Sequence, residues 1–438
     1  MRADRPTHVR FWIVGFLFLL TSVNYADRAT LSMVGTDVAR RFQFDPVHMG
    51  WLFSAFSWSY VVAQIPGGWL LDRVGSRIVY GWSIALWSLF TLLQGCIGWF
   101  EAGAAFAALF SLRLLLGLAE APSFPANARI VAAWFPTAER GTASAIFNSA
   151  QYFATVMFAP LMGGITQALG WEWVFGVMGV IGLAIAAVWP RLVHSPREHP
   201  WVGATEIAHI ERGGGLIDLD GGGRPEAAGG VRWGVIGELL GNRMMLGIYL
   251  GQYCITTLTW FFLTWFPIYL AKERGMAILK VGLVAALPAL CGFAGGILGG
   301  WFSDLLVRRG CSLTVARKLP IVAGLLLSVS MVGCNYVTAE WAVVTLMSLA
   351  FFGKGVGALG WAVVSDTSPR SVTGLCGGLF NTFGNTAGIV TPIAIGYILK
   401  ATGSFAWALV YVSAHAVLAV VCYLAIVGPI RRVELKTS

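Results

Sequence analysis

Charge is what this 438-residue sequence has least of. Asp, Glu, Lys and Arg make up only 12% of it, about half the share usual in a soluble domain. With 57% hydrophobic residues and a mean hydropathy of +0.72, the chain has too few polar side chains to cover a surface facing water. That excludes a soluble enzyme and an intrinsically disordered chain alike. Histidine is scarce, at six, and none stands beside a nucleophile or a metal-ligand set within an apolar run, which excludes an intramembrane enzyme. The seven cysteines are scattered, odd in number and without a C-x-x-C pair, so neither a disulfide framework nor a zinc site is expected. No stretch is long and polar enough for the output domain of a transport-derived sensor. The net charge of +9 lies mostly in short segments between apolar runs, where basic residues orient a membrane protein. Nucleic acid is not an expected partner.

Glycine (54) and tryptophan (19) are abundant instead, as suits helices packed closely in lipid with aromatic belts at the interfaces. Apolar runs fall at 9–33, 47–70, 78–100, 104–127, 141–166, 171–190, 244–270, 279–303, 317–337, 341–364, 373–398 and 404–428, each near the roughly 20 residues that a spanning helix needs. This predicts an all-α polytopic membrane protein with twelve transmembrane helices. The first run lacks a small-residue cleavage site and reads as a span rather than a signal peptide. Between spans six and seven the chain turns polar and Gly-rich (GGGLIDLDGGGRPEAAGG), which predicts a flexible linker with room for short surface helices. The expected domains are 1–190, the linker 191–243, and 244–438. Placing both termini and the linker in the cytoplasm puts 21 of the 30 basic residues inside and six outside, the asymmetry that sets orientation.

The two halves repeat in parallel. Gly68 and Asp72 after span two recur as Gly300 and Asp304 after span eight, while Pro136, Gly141, Phe147 and Asn148 recur as Pro369, Gly374, Phe380 and Asn381. The offset is 232 or 233 throughout, the mark of an internal duplication whose halves share a mid-membrane site.

Charges inside the spans are the sharpest signal, because an ionised side chain at mid-membrane costs roughly 2.5–3.5 kcal/mol. They are Asp27 and Arg28 in span one, Arg113 and Glu120 in span four, and Lys354 in span ten. Helical spacing sets them on stripes with other polar groups: Asn24, Asp27, Arg28 and Ser32; Arg113, Gly117 and Glu120; Tyr60, Gln64 and Gly67. Further stripes are Asn148, Gln151 and Thr155; Gln252, Thr256 and Thr259; and Asn381 with Asn385. Stripes in both halves that turn away from lipid predict a polyol-binding cavity. An arginine fork suits a carboxylate. Amides, a tyrosine hydroxyl and Trp361 suit sugar hydroxyls, and buried carboxyls suit proton uptake. Lys354, Ala358 and Trp361, at i, i+4 and i+7, are expected on one helical face, with Lys354 meeting a second carboxylate. The alternative for Lys354 is a structural pair with Glu120 or Asp366. Asp72, Arg73, Arg77 and Asp304, at cytoplasmic span ends, read as gating contacts.

The segment GWLLDRVGSR (68–77) resembles the signature loop of the major facilitator superfamily. NYADRATLS (24–32), AQIPGGWLLDR (63–73), GLAEAPSFPANARIVAAWFP (117–136), FNSAQYFATV (147–156) and FFGKGVGALGWAVVSD (351–366) are similar to its anion:cation symporter family. With SPREHP and VGPIRRVELK, they are most similar to that family's D-glucarate/galactarate permeases. The likeness runs over nearly the whole chain and is weakest in the linker. It implies the facilitator fold and proton-coupled import of a sugar diacid by alternating access across a bacterial inner membrane. It further implies a monomer without cofactor, with the proton as coupling ion and a sugar acid, protons and the lipid bilayer as partners. The proton-coupling roles fall on Asp27, Arg113 and Glu120. Substrate contacts fall on Arg28, Tyr25, Tyr60, Gln151, Gln252, Trp361 and Asn381, and the stripes add Asn24 and Lys354. A monoacid such as galactonate is the alternative substrate. A sugar-phosphate exchanger would want basic residues without membrane carboxylates.

Overall fold

The computed structural model describes residues 7–136, 139–218, 233–369 and 372–435, with 72, 141, 145, 233, 373 and 374 described by backbone only. The Asp72 side chain lies outside the described residues, as do Arg2, Arg5, Arg224, Arg232, Arg370 and Lys436 from the orientation count. The helices are α1 (Val9–Phe42), α2 (Pro46–Val74), α3 (Ser76–Gln94), α4 (Ala102–Glu120), α5 (Ser123–Trp134), α6 (Arg140–Leu169), α7 (Glu172–Leu192), α8 (Ala204–Arg212) and α9 (Trp233–Gly241). They continue with α10 (Arg243–Thr264), the single turn α11 (Phe266–Ile268), α12 (Ile278–Arg308), α13 (Leu313–Ser328), α14 (Glu340–Val356), α15 (Gly360–Thr367), α16 (Thr373–Thr402) and α17 (Ala406–Val421). Among the described residues, eleven helical segments are long and apolar enough to cross a bilayer. The remaining expected span is α2, 29 residues long, whose Ser54, Ser57, Ser59, Tyr60 and Gln64 lower its hydropathy.

Spans four and ten are each broken rather than continuous. Span four is α4 plus α5, parted at Ala121 and Pro122, where proline has no N–H to carry the helix on. Gly67 of α2 makes room for that corner, since a Cβ there would lie 3.2 Å from the Pro122 ring. Span ten is α14 plus α15, parted at Gly357–Leu359. A buried charge precedes each break: Glu120 ends α4, and Lys354 sits in the last turn of α14.

The chain divides into two compact units: Met1–Thr30, Trp58–Phe158 and Ile165–Ala228 form unit 1, while Leu31–Ser57, Ala159–Gly164 and Gly229–Ser438 form unit 2. In unit 1 the first part of the linker carries the short helix α8, which is docked on the start of α1. Glu206 of α8, 3% exposed, accepts hydrogen bonds from Thr7 Oγ1 at 2.7 Å and from the backbone N–H groups of Val9 (3.0 Å) and Arg10 (3.1 Å). It thereby satisfies donors that the first turn of α1 would leave bare. Arg10 bridges Glu206 (3.3 Å) and Glu139 (3.1 Å), and His209 Nε2 lies 3.0 Å from Glu139. Slight burial raises the Glu139 pKa, but His209 and Arg10 outweigh it and hold the carboxyl below its usual range.

In unit 2, α14 is wedged between α12 and α13 on glycine. A Cβ on Gly295 or Gly355 would lie 2.2 Å from the carbonyl oxygen of Phe352 or Gly292, and one on Gly353 would lie 2.4 Å from that of Gly324. At the end of this unit remote from its C-terminal tail, backbone again meets backbone. A Cβ on Gly50 would lie 2.6 Å from the Pro392 oxygen, one on Gly396 2.5 Å from that of Pro46, and one on Gly282 2.5 Å from that of Ala159. There the Trp265 indole donates to the Pro392 carbonyl at 3.2 Å, and Lys400 pairs with Asp45 at 2.9 Å. Slight burial raises the Asp45 pKa, but hydrogen bonds from the His48 backbone N–H, Lys400 and the His48 ring pull it well below the ordinary carboxylate range.

Candidate functional site

Unit 1 gathers six of the expected side chains into its interior. α1 brings Asn24, Asp27 and Arg28, α2 brings Tyr60, and α4 brings Arg113 and Glu120, all buried. Tyr25 on α1 and Gln151 on α6 are half-buried. Arg28 Nε donates to Glu120 Oε2 at 2.7 Å, and its guanidinium lies 4.9 Å and 4.8 Å from the ring centroids of Tyr25 and Tyr60, within reach of cation–π attraction. Asn24 borders Glu120, while Asp27 faces Trp87 of α3 as well as Glu120.

Arg113, 1% exposed, is close enough to Glu120 to feel its charge, yet its Nε and Nη1 make no hydrogen bond. The i, i+7 spacing had made Arg113 the neighbour of Glu120. The bonded partner comes from α1 instead, because two turns along one helix separate residues by about 10.5 Å whereas adjacent helices bring side chains into contact. Arg28, expected to grip a substrate carboxylate, therefore has Nε engaged with a carboxylate of its own unit.

In unit 2, Gln252 lies on α10, Lys354 on α14, Trp361 on α15 and Asn381 on α16. Gln252 Nε2 donates to Thr256 Oγ1 at 3.2 Å, and Asn385 Nδ2 to the Asn381 carbonyl at 2.9 Å. Gln151 in unit 1 likewise bonds its own helix, at the Asn148 carbonyl (3.2 Å). Gly360 opens α15 where a Cβ would lie 2.5 Å from the Phe380 ring and 2.9 Å from Gln252 Oε1. Trp361 packs edge-on against Phe380 at 4.9 Å. The single face expected for Lys354, Ala358 and Trp361 does not form. The helix stops at Val356 and restarts at Gly360, so the phase is reset, leaving Lys354 6% and Trp361 55% exposed.

The expected gating residues fall on separate contacts. The Arg73 guanidinium lies 5.3 Å from the Trp69 ring centroid, and Arg77 donates to the Pro190 carbonyl at 2.7 Å. In unit 2, Arg317 pairs with both Asp304 (3.3 Å) and Asp366 (2.8 Å). A pocket of about 350 Å³ in unit 2, among Met49, Trp265, Ile268, Lys272 and Phe405, contains none of the expected site residues. Sequence reasoning missed Trp87, Asn127 and Glu206. Trp87 reads as one more lipid-facing aromatic, although its i, i+7 spacing from the equally buried Tyr80 was a sign of a shared inward face. Asn127 donates to Thr21 Oγ1 at 3.0 Å in the interior.

The sequence model of the Major Facilitator Superfamily matches residues 17–357. The chain is 61% identical over 434 residues to a Bacillus subtilis (strain 168) protein named "Probable galactarate/D-glucarate transporter GudP", covering 99% of this chain and 95% of that one. It is 40% identical over 436 residues to a "D-galactonate transporter" of Escherichia coli O6:H1, covering 99% of each. Its fold is similar to the crystal structure of a bacterial homolog to the human lysosomal transporter Spinster, with a TM-score of 0.75 at 15% identity, over 97% of this chain and 98% of that one.

Proposed function

The chain belongs to the major facilitator superfamily, and on that premise we propose that it imports a sugar diacid, D-glucarate or galactarate, together with protons by alternating access. It is a multi-pass membrane transporter, not an enzyme. We place it in a bacterial inner membrane with both termini cytoplasmic. The observation that carries the reading is the buried Arg28–Glu120 pair. An anionic substrate competes with Glu120 for the guanidinium, and a carboxylate deprived of its cation in a dry site holds a proton more readily. Anion binding and proton uptake are thereby linked in one exchange of partners. Asp27 supplies a second carboxyl beside it, so a dianion arriving with two protons leaves the charge of the interior unchanged. With the termini inside, the glycine-lined end of unit 2 is the outer one, and its close packing supports a state shut to the outside.

The name of the galactonate-transporting relative favours a second reading, a monoacid substrate. The test is uptake of labelled hexarates and hexonates into proteoliposomes with and without a pH gradient, for the wild type and Glu120→Gln. The expected outcome is gradient-driven accumulation of hexarate, insensitive to an imposed potential. In Glu120→Gln, accumulation is lost while counterflow between substrate pools persists. A Glu120→Gln protein that still concentrates substrate on a pH gradient removes Glu120 as an obligatory proton carrier.

A further inference from the structure

Resting on the sugar-acid reading above, we propose that Lys354 decides between substrates with one carboxylate and substrates with two. Intramembrane ammonium groups are costly and mark the routes and sites of charged solutes, and Lys354 is the only charged side chain buried among the described residues of unit 2. Its position is held by the backbone. The glycines on either side of it, Gly353 and Gly355, meet the carbonyl oxygens of Gly324 on α13 and Gly292 on α12 at distances that leave no room for a Cβ. Successive helical residues are turned by about 100°, so with 353 facing α13 and 355 facing α12, residue 354 is directed roughly perpendicular to both. Phe351, one turn earlier, shares that side. The ammonium lies 5.2 Å from its ring centroid, and the same ring is 4.2 Å from Phe262 of α10. Lys354 thus faces the side of α14 that meets α10, the helix that carries Gln252 and Thr256.

These contacts fix where the Lys354 stem starts and the direction in which it leaves α14, while the four-carbon stem keeps its own rotamers and sets how far the ammonium can reach. A hexarate brings one carboxylate more than a hexonate and has use for one more cationic partner. Lys354 meets that need in unit 2, and the amide of Gln252 serves hydroxyls shared by both substrates.

The experiment compares labelled galactarate and galactonate uptake by the full-length protein in proteoliposomes for the wild type, Lys354→Met, Lys354→Gln and Lys354→Arg. Loss of a charged hydrogen bond predicts that Met and Gln lower galactarate uptake by about tenfold or more, with galactonate uptake near the wild-type value and a partial return of galactarate uptake in Lys354→Arg. Equal loss of both substrates in folded protein overturns the proposal and assigns Lys354 to the packing of α14. Failure of both neutral variants to fold overturns it in the same way. A wild type that takes up galactonate but no galactarate refutes the diacid reading itself and this proposal with it, a result distinguishable by the wild type alone.

Discussion

In unit 1 the Glu120 carboxylate lies 2.7 Å from an arginine that belongs to another helix, with Asp27 and a second arginine buried beside it. In unit 2 the buried Lys354 is flanked by glycines pressed onto the carbonyls of two neighbouring helices. The first arrangement is held by charge and has alternatives, because a proton or an anion can take the place of either member. The second is held by steric contact between backbones, for which no substitute exists. The contrast teaches that one unit carries exchangeable partners while the other carries fixed geometry, and each can be disturbed separately.

The largest effect should come from breaking the pair from one side. Arg28→Met leaves Glu120 buried without its guanidinium, and removing one member of a buried pair costs roughly 3–5 kcal/mol. The thermal midpoint in detergent should fall by several degrees, and Arg28→Met combined with Glu120→Gln should recover most of the loss. A double variant no more stable than Arg28→Met would show that the pair does not carry unit 1. Next is the steric side. Gly355→Ala forces a Cβ against the Gly292 carbonyl and should cost about 1–3 kcal/mol, whereas Gly300→Ala, with nothing within 4 Å, should change stability by less than about 0.5 kcal/mol. Equal effects of the two would mean that the seam is looser than its contacts indicate.

A smaller change is expected at the linker. Glu206→Ala withdraws the acceptor from the first turn of α1 and should cost about 0.5–2 kcal/mol, with faster proteolytic cleavage within 193–218. Unchanged cleavage would leave α8 held by its apolar contacts alone. The smallest expected effect is a null one. The Asp45 carboxyl is pulled down in the folded protein, so its contribution is complete above the ordinary value of about 3.9 and is lost only as pH falls through its lowered folded value. With the His48 imidazole removed, the difference in thermal midpoint between His48→Gln and the His48→Gln/Asp45→Asn double variant should therefore stay constant from pH 8 to pH 5. A difference that shrinks across that range would contradict the depressed carboxyl.

The spans were legible because hydropathy survives without any knowledge of contacts. Asp27, Arg28, Arg113 and Glu120 were legible as inward-facing because charge in lipid has few cheap explanations. Which of them touch was not. Spacing orders residues along one helix, and it placed Glu120 with Arg113, while the bonded Arg28 is 92 residues away in the chain. The face shared by Lys354 and Trp361 failed for a readable reason, since GKGVGALG carries four glycines where an unbroken helix was assumed. The docking of α8 on α1 was hidden by its Gly-rich surroundings, although ATEIAHIER places Glu206 and Ile210 one turn apart, both buried.

The end of unit 2 remote from its C-terminal tail is closed by flat surfaces. Where Gly50, Gly396 and Gly282 lie against carbonyl oxygens, no side chain of those residues is inserted between the facing helices. Surfaces of this kind can separate or slide without any rotamer at those points having to change, as two smooth plates part more readily than two meshed gears. The polar contacts at this end include the Trp265 indole on the Pro392 carbonyl and Lys400 on Asp45, and the aromatic contact of Phe53 with Trp265 adds a side-chain contact beside them. If the two surfaces part, the glycine positions have no side-chain order to rebuild when they meet again.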